Sequence, residues 1–429
     1  MSTLALFGGE KSVTVDAGAV ASLPVCRQKG IDVVNRLMRT GEISQSSVTS
    51  DFAQHFASYI GSTYALCTNN GTSAIDSALF ALSVAPGDEV IVPSYTFWAS
   101  VTPIIAQHAV PVFCDVDRET FCIDPKKIEK CITNKTKAII VVHVWGNMCD
   151  MESIMSIARK HGIKVLEDCS HAHGASYRGK KAGLWGDVGC YSLQGTKTLP
   201  GGEGGVLVTD SRECYERAAA LGHYELIQTF ADDSPYKKYA LTGMGHKYRI
   251  HPFAAALADS QLEHLDEVNE VREKNARRFD EGLHDIPFLK KQREYEGSHR
   301  VFSYHYYRYV PAKEKVKEPF AFLKALHAEG VACGYCGYGR LHNAPLFTEG
   351  GPYGDCKGTR AVLPVTDELA HTTFLAAPRF ETSCHSLVEQ YIAAYRKVSD
   401  HIEEVIEYSQ DHSFDEELNS LSGRSIAQL

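Results

Sequence analysis

A single lysine, Lys197, stands among small and polar residues in C-Y-S-L-Q-G-T-K-T-L-P-G-G-E-G-G, residues 190–205. A solvated lysine amine is protonated near pH 7 and a poor nucleophile, so a lysine that does chemistry is desolvated or held as a Schiff base. Ser192 and Thr196 place hydroxyls beside it, and the glycines that follow let backbone approach closely. Taken alone, the stretch also reads as a solvated loop.

Three further stretches carry chemistry-bearing residues. N-N-G-T-S, residues 69–73, opens a helical pattern. A helix start with Gly71, Thr72 and Ser73 offers free N–H groups, hydroxyls and the positive dipole end to a phosphate, although a plain cap by Asn70 or Thr72 explains the same residues. P-S-Y-T-F-W-A-S, residues 93–100, puts Phe97 and Trp98 just after a strand, where either ring is a core residue or lies flat on a planar group. L-E-D-C-S-H-A-H-G, residues 166–174, ends an apolar strand with Asp168 and two nearby histidines. Asp168 suits a cationic ring nitrogen. Asp168, His171 and His173 are also metal-ligand types, but an extended chain splays the two histidines, so no metal is expected. A phosphate site, a stacking ring, an acid for a ring nitrogen and a lysine for an aldehyde together match pyridoxal 5′-phosphate.

The elements that must position these residues alternate along the chain. Ile75, Ala78, Leu79 and Leu82 share one helical face. E-V-I-V-P, V-P-V-F-C-D-V, A-I-I-V-V-H-V and I-K-V-L-E-D read as buried strands, and Asp150 caps a helix that ends at His161-Gly162. Apolar strands separated by amphipathic helices predict an α/β fold with a doubly wound, mainly parallel sheet, whose ligands gather at the strands' carboxyl ends. Beyond residue 255 a long helical stretch, D-S-Q-L-E-H-L-D-E-V-N-E-V-R-E-K-N-A-R-R-F, leads to S-Y-H-Y-Y-R-Y-V-P, a strand expected to alternate in exposure. The expected organisation is an N-terminal arm and helix (1–40), a large cofactor-binding domain (41–265), a smaller α+β domain (266–408) and a polar tail (409–429).

At 429 residues with 44% hydrophobic and 23% charged residues, the composition is that of a globular enzyme. No apolar run approaches a membrane span, and the start has no basic-then-apolar segment, so a cytoplasmic protein is expected. The formal charge of −9 argues against a general nucleic-acid surface. Thirteen scattered cysteines read as buried thiols rather than disulfides or a zinc site.

N-G-T-S, V-P-S-Y-T-F, L-E-D-C-S-H-A-H-G, S-L-Q-G-T-K-T-L-P-G-G-E-G-G and K-Y-R-I-H-P-F-A-A-A-L-A-D-S-Q-L resemble, in order and spacing, the DegT/StrS family of sugar and cyclitol aminotransferases. The resemblance implies the aspartate aminotransferase fold type and a homodimer with shared active sites. It implies that Lys197 carries the cofactor as an aldimine, that Asp168 pairs with the pyridinium nitrogen and that Phe97, rather than Trp98, stacks on the ring. Gly71, Thr72 and Ser192 fall at the phosphate contacts, His171 at a position that hydrogen-bonds the phenolic oxygen, and Gln194 where a histidine or glutamine often stands. G-H-K-Y-R departs from the usual G-Y-N-Y-R, so Lys247 replaces an asparagine that reaches the partner's phosphate. Y-G-R-L-H-N-A-P places Tyr338 and His342 near the substrate or the dimer contact. The implied reaction is a ping-pong transfer from glutamate or glutamine to a keto sugar nucleotide or keto cyclitol. Another small ketone or keto acid is the alternative acceptor. A deoxysugar dehydratase fits less well, since the family's dehydratases replace the lysine by histidine, as does a non-catalytic binding protein. Arg249, Arg340 and Arg379 are each candidates for a carboxylate or phosphate.

Overall fold

Seven strands, buried along most of their length, pair into one sheet: β1 (Tyr64–Thr68), β2 (Glu89–Pro93), β3 (Val110–Cys114), β4 (Thr136–Val142), β5 (Lys164–Asp168), β6 (Val188–Ser192) and β7 (Gly205–Thr209). Their order is β1-β7-β6-β5-β4-β2-β3. β3, β2, β4, β5 and β6 run parallel, while β7 is antiparallel to both of its neighbours. The computed structural model describes residues 4–21, 26–310, 318–335, 338–349 and 361–411. Most of the expected polar tail, 412–429, lies outside the described residues.

The helix Gly71–Ala81 is buried nearly all round and packs on β6, β7 and the helix Arg212–Gly222. Its start is fixed by Asn70, whose side-chain oxygen accepts from Ser73 N at 2.7 Å. The helix Met151–His161 is capped by Asp150, which accepts from Ser153 N, and ends at Gly162 with φ +66°. Among the described residues no helix is long and apolar enough to cross a membrane.

A second sheet follows the order β8 (Leu289–Lys291), β9 (His305–Tyr309), β11 (Thr373–Ala377) and β10 (Gly334–Tyr335), antiparallel throughout. Two expectations need correction here. β9 does not alternate in exposure; only Arg308 is half-buried and the other four residues are buried. Tyr306 packs into the core of the large sheet while Tyr307 and Tyr309 pack into the core of the small one, so both faces of the strand are covered. The long helical stretch is two helices, Pro252–Leu262 and Leu265–Leu283, broken at His264 (φ −117°, ψ 6°). The break puts Asp266 and Glu267 in the first turn of the second helix, where the dipole favours acids. Leu4, Val13 and Ala21 of the N-terminal segment join the small sheet's core.

The large sheet's core holds a strained corner next to the segment that leads into β9. Trp145 takes φ +58° and Gly146 φ +84°. A Cβ at Gly146 would sit 1.8 Å from the Val301 carbonyl oxygen, in a segment leading into β9. Gly146→Ala therefore combines a left-handed backbone with a backbone clash. It should destabilise the fold by about 3 kcal/mol or more, read as a lower denaturation midpoint.

Candidate active site

The carboxyl ends of the parallel strands and the start of the helix Gly71–Ala81 converge on a cavity of about 420 Å³. Gly71, Thr72, Phe97, Asp168, His171, Ser192, Gln194 and Lys197 all line it. Residues far apart in sequence meet because each sits at a strand end or just beyond one.

Asp168 closes β5. It is 5% exposed, and both of its oxygens are held: Oδ2 accepts from Ser100 Oγ at 2.7 Å and Oδ1 from Ser170 N at 3.0 Å. Ser100 is held in turn by Thr96 Oγ1 at 2.9 Å. The carboxylate thus keeps one orientation before any ligand arrives. On the next strand end, a Cβ at Gly71 would lie 2.8 Å from Ser192 Cβ. Glycine is what lets Ser192 close against the helix start, where the first-turn N–H groups have no intrahelical acceptor. This cradle, the clamped acid and the desolvated amine fit a phosphorylated pyridine aldehyde.

Burial pushes the Lys197 amine down to about 8; Asp168 opposes that shift and Arg379 adds to it. The preceding residue, Thr196, is tied from several directions. Its N–H and hydroxyl donate to Gln194 Oε1 at 2.7 and 2.6 Å, its carbonyl accepts from Arg379 Nη1 at 2.5 Å, and Tyr304 OH lies 3.1 Å from its Oγ1. Gln194 lines the cavity, but its oxygen is spent on shaping the lysine loop.

His171 and His173 have different partners, although the segment after β5 is made of turns rather than extended chain, with Ala172 N donating to Cys169 O and Ala175 N to Ala172 O. His173 bonds Thr198 Oγ1 through Nδ1 at 2.9 Å, and burial pushes its pKa down to about 3. His171 faces the cavity, and burial, with Lys197, His173 and Arg379 adding, holds it well below the ordinary histidine range. It is therefore neutral. Its ring stacks on Trp145 at 5.1 Å and 9°, and its Nδ1 accepts from Trp145 N at 3.4 Å, which leaves Nε2 as the N–H donor. Phe97 is half-buried and Trp98 48% exposed, with ring centroids 4.8 Å apart and planes tilted by 41°.

Other candidates stand elsewhere. Lys247 is exposed and outside this cavity. Arg249 lines a separate groove of about 710 Å³ beside Glu225, and Arg340 lies 3.8 Å from Asp367. Arg379 alone of the three arginines reaches the lysine loop. Tyr338 lines the cavity, whereas His342 is locked to Ser94 Oγ at 2.8 Å and does not. Ser100, Tyr304 and Glu203 also line the cavity and were not singled out from the sequence, although Ser100 and Glu203 lie inside the quoted motifs.

One group of metal-ligand types, His143, Glu167 and Cys169, comes together among the described residues. Its ligand atoms are already occupied. The Glu167 oxygens accept from His143 Nε2 and from the N–H groups of Gly183, Trp185 and Gly186, and His143 Nδ1 accepts from Cys149 N.

The fold that carries this cavity is shared with solved enzymes. The aminotransferase from Psychrobacter cryohalolentis is 28% identical with a TM-score of 0.80, covering 90% of this chain and 100% of that one. Its class is therefore that of the aminotransferases. More closely, the chain belongs to the DegT/DnrJ/EryC1/StrS aminotransferase family, whose model matches residues 25–382. A putative L-glutamine:3-amino-2,3-dideoxy-scyllo-inosose aminotransferase of Streptoalloteichus tenebrarius is 31% identical over 428 residues, covering 92% of this chain and 98% of the relative. The L-glutamine:2-deoxy-scyllo-inosose aminotransferase of Streptomyces kanamyceticus is 35% identical over 306 residues, covering 66% of this chain and 69% of the relative.

A base with a lowered pKa is neutral, and so reactive, at lower pH. In the cofactor-free protein, modification of Lys197 by an amine-selective reagent should rise through pH about 8, whereas exposed lysines follow about 10.4. Mass spectrometry of the Lys197 peptide across pH 6–11 measures both.

Proposed function

We propose that the enzyme transfers an amino group from glutamine or glutamate to a ketone on a cyclitol or a sugar nucleotide, in two half-reactions on one cavity. The observation that carries this reading is the desolvated Lys197 amine in the same cavity as the doubly clamped Asp168. The family relatives named for L-glutamine favour glutamine over glutamate as donor.

The cofactor is pyridoxal 5′-phosphate; when bound it supplies an aldehyde carbon to carry the amino group and a cationic ring that withdraws electrons. Each residue then has a task. The N–H groups of Gly71 and Thr72, with the hydroxyls of Thr72 and Ser192, hold the phosphate. Asp168, oriented by Ser100, keeps the proton on the ring nitrogen. Phe97 would cover the ring face, and His171 would offer its Nε2 N–H to the phenolic oxygen. Gln194 supports the loop from the substrate side. Lys197 would hold the cofactor covalently, and its amine would take up and return the proton at the donor's α-carbon. An amine pushed down to about 8 takes up and returns that proton near neutral pH.

Arg379, which lines a small adjoining cavity with Lys197 and donates to the Thr196 carbonyl, orients the donor's carboxylate. Lys247, exposed and outside its own chain's cavity, reaches the phosphate bound by a second copy, which makes the working unit a homodimer. Retention of lysine at position 197 supports amino transfer over dehydration.

Lys197→Ala should lower turnover by at least 10²- to 10⁴-fold and abolish the visible absorbance of lysine-bound cofactor; an unchanged band would overturn the assignment. Arg379→Gln should raise the donor concentration for half-maximal conversion about tenfold or more, the scale of a charge-assisted hydrogen bond. Absorbance titration with glutamine reads it, and unchanged donor affinity would remove Arg379 from the site.

A further inference from the structure

Lys197 also lines a second, smaller cavity of about 40 Å³, together with Gly195, Thr198, Arg272, Arg379 and Glu381. One wall is the helix Leu265–Leu283, whose Leu265, Val268 and Arg272 follow at i, i+3 and i+7 and so share a face. The charges on the lining do not balance. Lys197, Arg272 and Arg379 face one carboxylate, that of Glu381. Its Oε1 is already shared, accepting from Arg272 Nη2 and lying 3.6 Å from Arg379 Nε.

Arg272 is the side chain that points to a ligand. It is 3% exposed; Nη1 donates to Asn269 Oδ1 at 3.1 Å and Nη2 to Glu381, but Nε has no hydrogen-bond partner among the described residues. A buried guanidinium N–H without an acceptor is costly, because it has left water and gained nothing. Burial already holds this guanidinium below the usual arginine range; Glu381 opposes that shift and Arg379 adds to it.

The volume and the charge select the occupant. About 40 Å³ takes about one to three atoms of water size, too few for the five heavy atoms of a phosphate or sulfate. A metal cation is repelled by the three positive groups. Water fits the space but leaves their surplus charge unanswered, whereas an anion accepts from Nε and offsets that charge at once. We propose that this cavity is a binding site for a monovalent anion of chloride size, seated between Arg272 and Arg379 beside Lys197. The site uses no group of the donor or the acceptor, so it stands apart from the amino-transfer reading.

An anion there stabilises the protonated Lys197 amine, as Asp168 does from the other cavity. The remaining groups facing that amine are His171 and His173 from the turns after β5, Arg379, and Glu203, Tyr304 and Tyr338 across the larger cavity. Comparing chloride with gluconate at constant ionic strength keeps their contribution fixed.

The test uses the cofactor-loaded enzyme without donor or acceptor. The linewidth of chlorine NMR should show saturable chloride binding, and crystals soaked in bromide should give an anomalous peak in this cavity. Arg272→Lys, which keeps a charge opposite Glu381 but loses the Nε donor, should weaken chloride binding about tenfold or more, the scale of a charge-assisted hydrogen bond. Val268→Leu narrows the cavity, keeps every charge and should also weaken binding, whereas Glu381→Gln removes the opposing carboxylate and should tighten it. In the cofactor-free protein, labelling of Lys197 by an amine-selective reagent should move upward from about 8 when chloride replaces gluconate. Absence of saturable binding, or binding untouched by both Arg272→Lys and Val268→Leu, overturns the proposal. Displacement of bromide by glutamine also overturns it, since the cavity is then the donor's carboxylate pocket. Failure of the amino-transfer reading would leave every one of these chloride and bromide readouts unchanged.

Discussion

Two adjacent carboxylates at the end of one buried strand set the geometry on which the site depends. Successive residues of a strand face opposite sides of its sheet, so Glu167 and Asp168 cannot share a face. Glu167 turns away from the cavity and is fully buried, yet its oxygens accept from His143 and from three backbone N–H groups at Gly183, Trp185 and Gly186. A buried carboxylate left unpaired costs several kcal/mol, roughly 3–5 when a partner is lost, so this satisfied network fixes the register of β5. Asp168 inherits that register, and Ser100 and Ser170 then hold its remaining freedom.

The lysine is positioned from the opposite direction, by the C-terminal part of the chain. Arg379 and Tyr304 grip Thr196, the residue before Lys197, although they lie 183 and 108 residues further on. Tyr306 and Tyr338 stack on Trp145 at 4.0 and 4.3 Å, and Trp145 stacks on His171. The small sheet therefore does more than pack beside the large one: through the Thr196 clasp and the Trp145 stack it holds two of the groups that face the cavity. That is why the strained corner at Trp145 and Gly146 persists. The left-handed backbone there presents an N–H to His171 and an indole to four aromatic rings at once, those of His171, Tyr304, Tyr306 and Tyr338.

Much of this was legible in the sequence, and the reason is burial. Parallel strands covered on both faces read as continuous apolar runs, and helix caps such as Asn70 and Asp150 mark their own positions. The strand ends then carried the candidate residues into one cavity. β9 defeated the same logic, because a strand wedged between two cores has no wet face to alternate with. The break at His264 left no proline or glycine signal, only two acids whose meaning depends on where a helix begins. Ser100 was invisible as a functional residue for a different reason: a serine that orients an acid is defined by what surrounds it and not by its type.

Charge accounts for the division of labour inside the cavity. Asp168 lies close enough to Lys197 to act on it, raising the very amine pKa that burial lowers. If burial acted alone the lysine would be a weaker base; if Asp168 were nearer and unclamped, the amine would stay protonated and unreactive. Ser100 and Ser170 take up hydrogen-bonding capacity of Asp168, and Arg379 offsets part of its field at Lys197. His171, neutral because it is buried, adds a donor without adding charge.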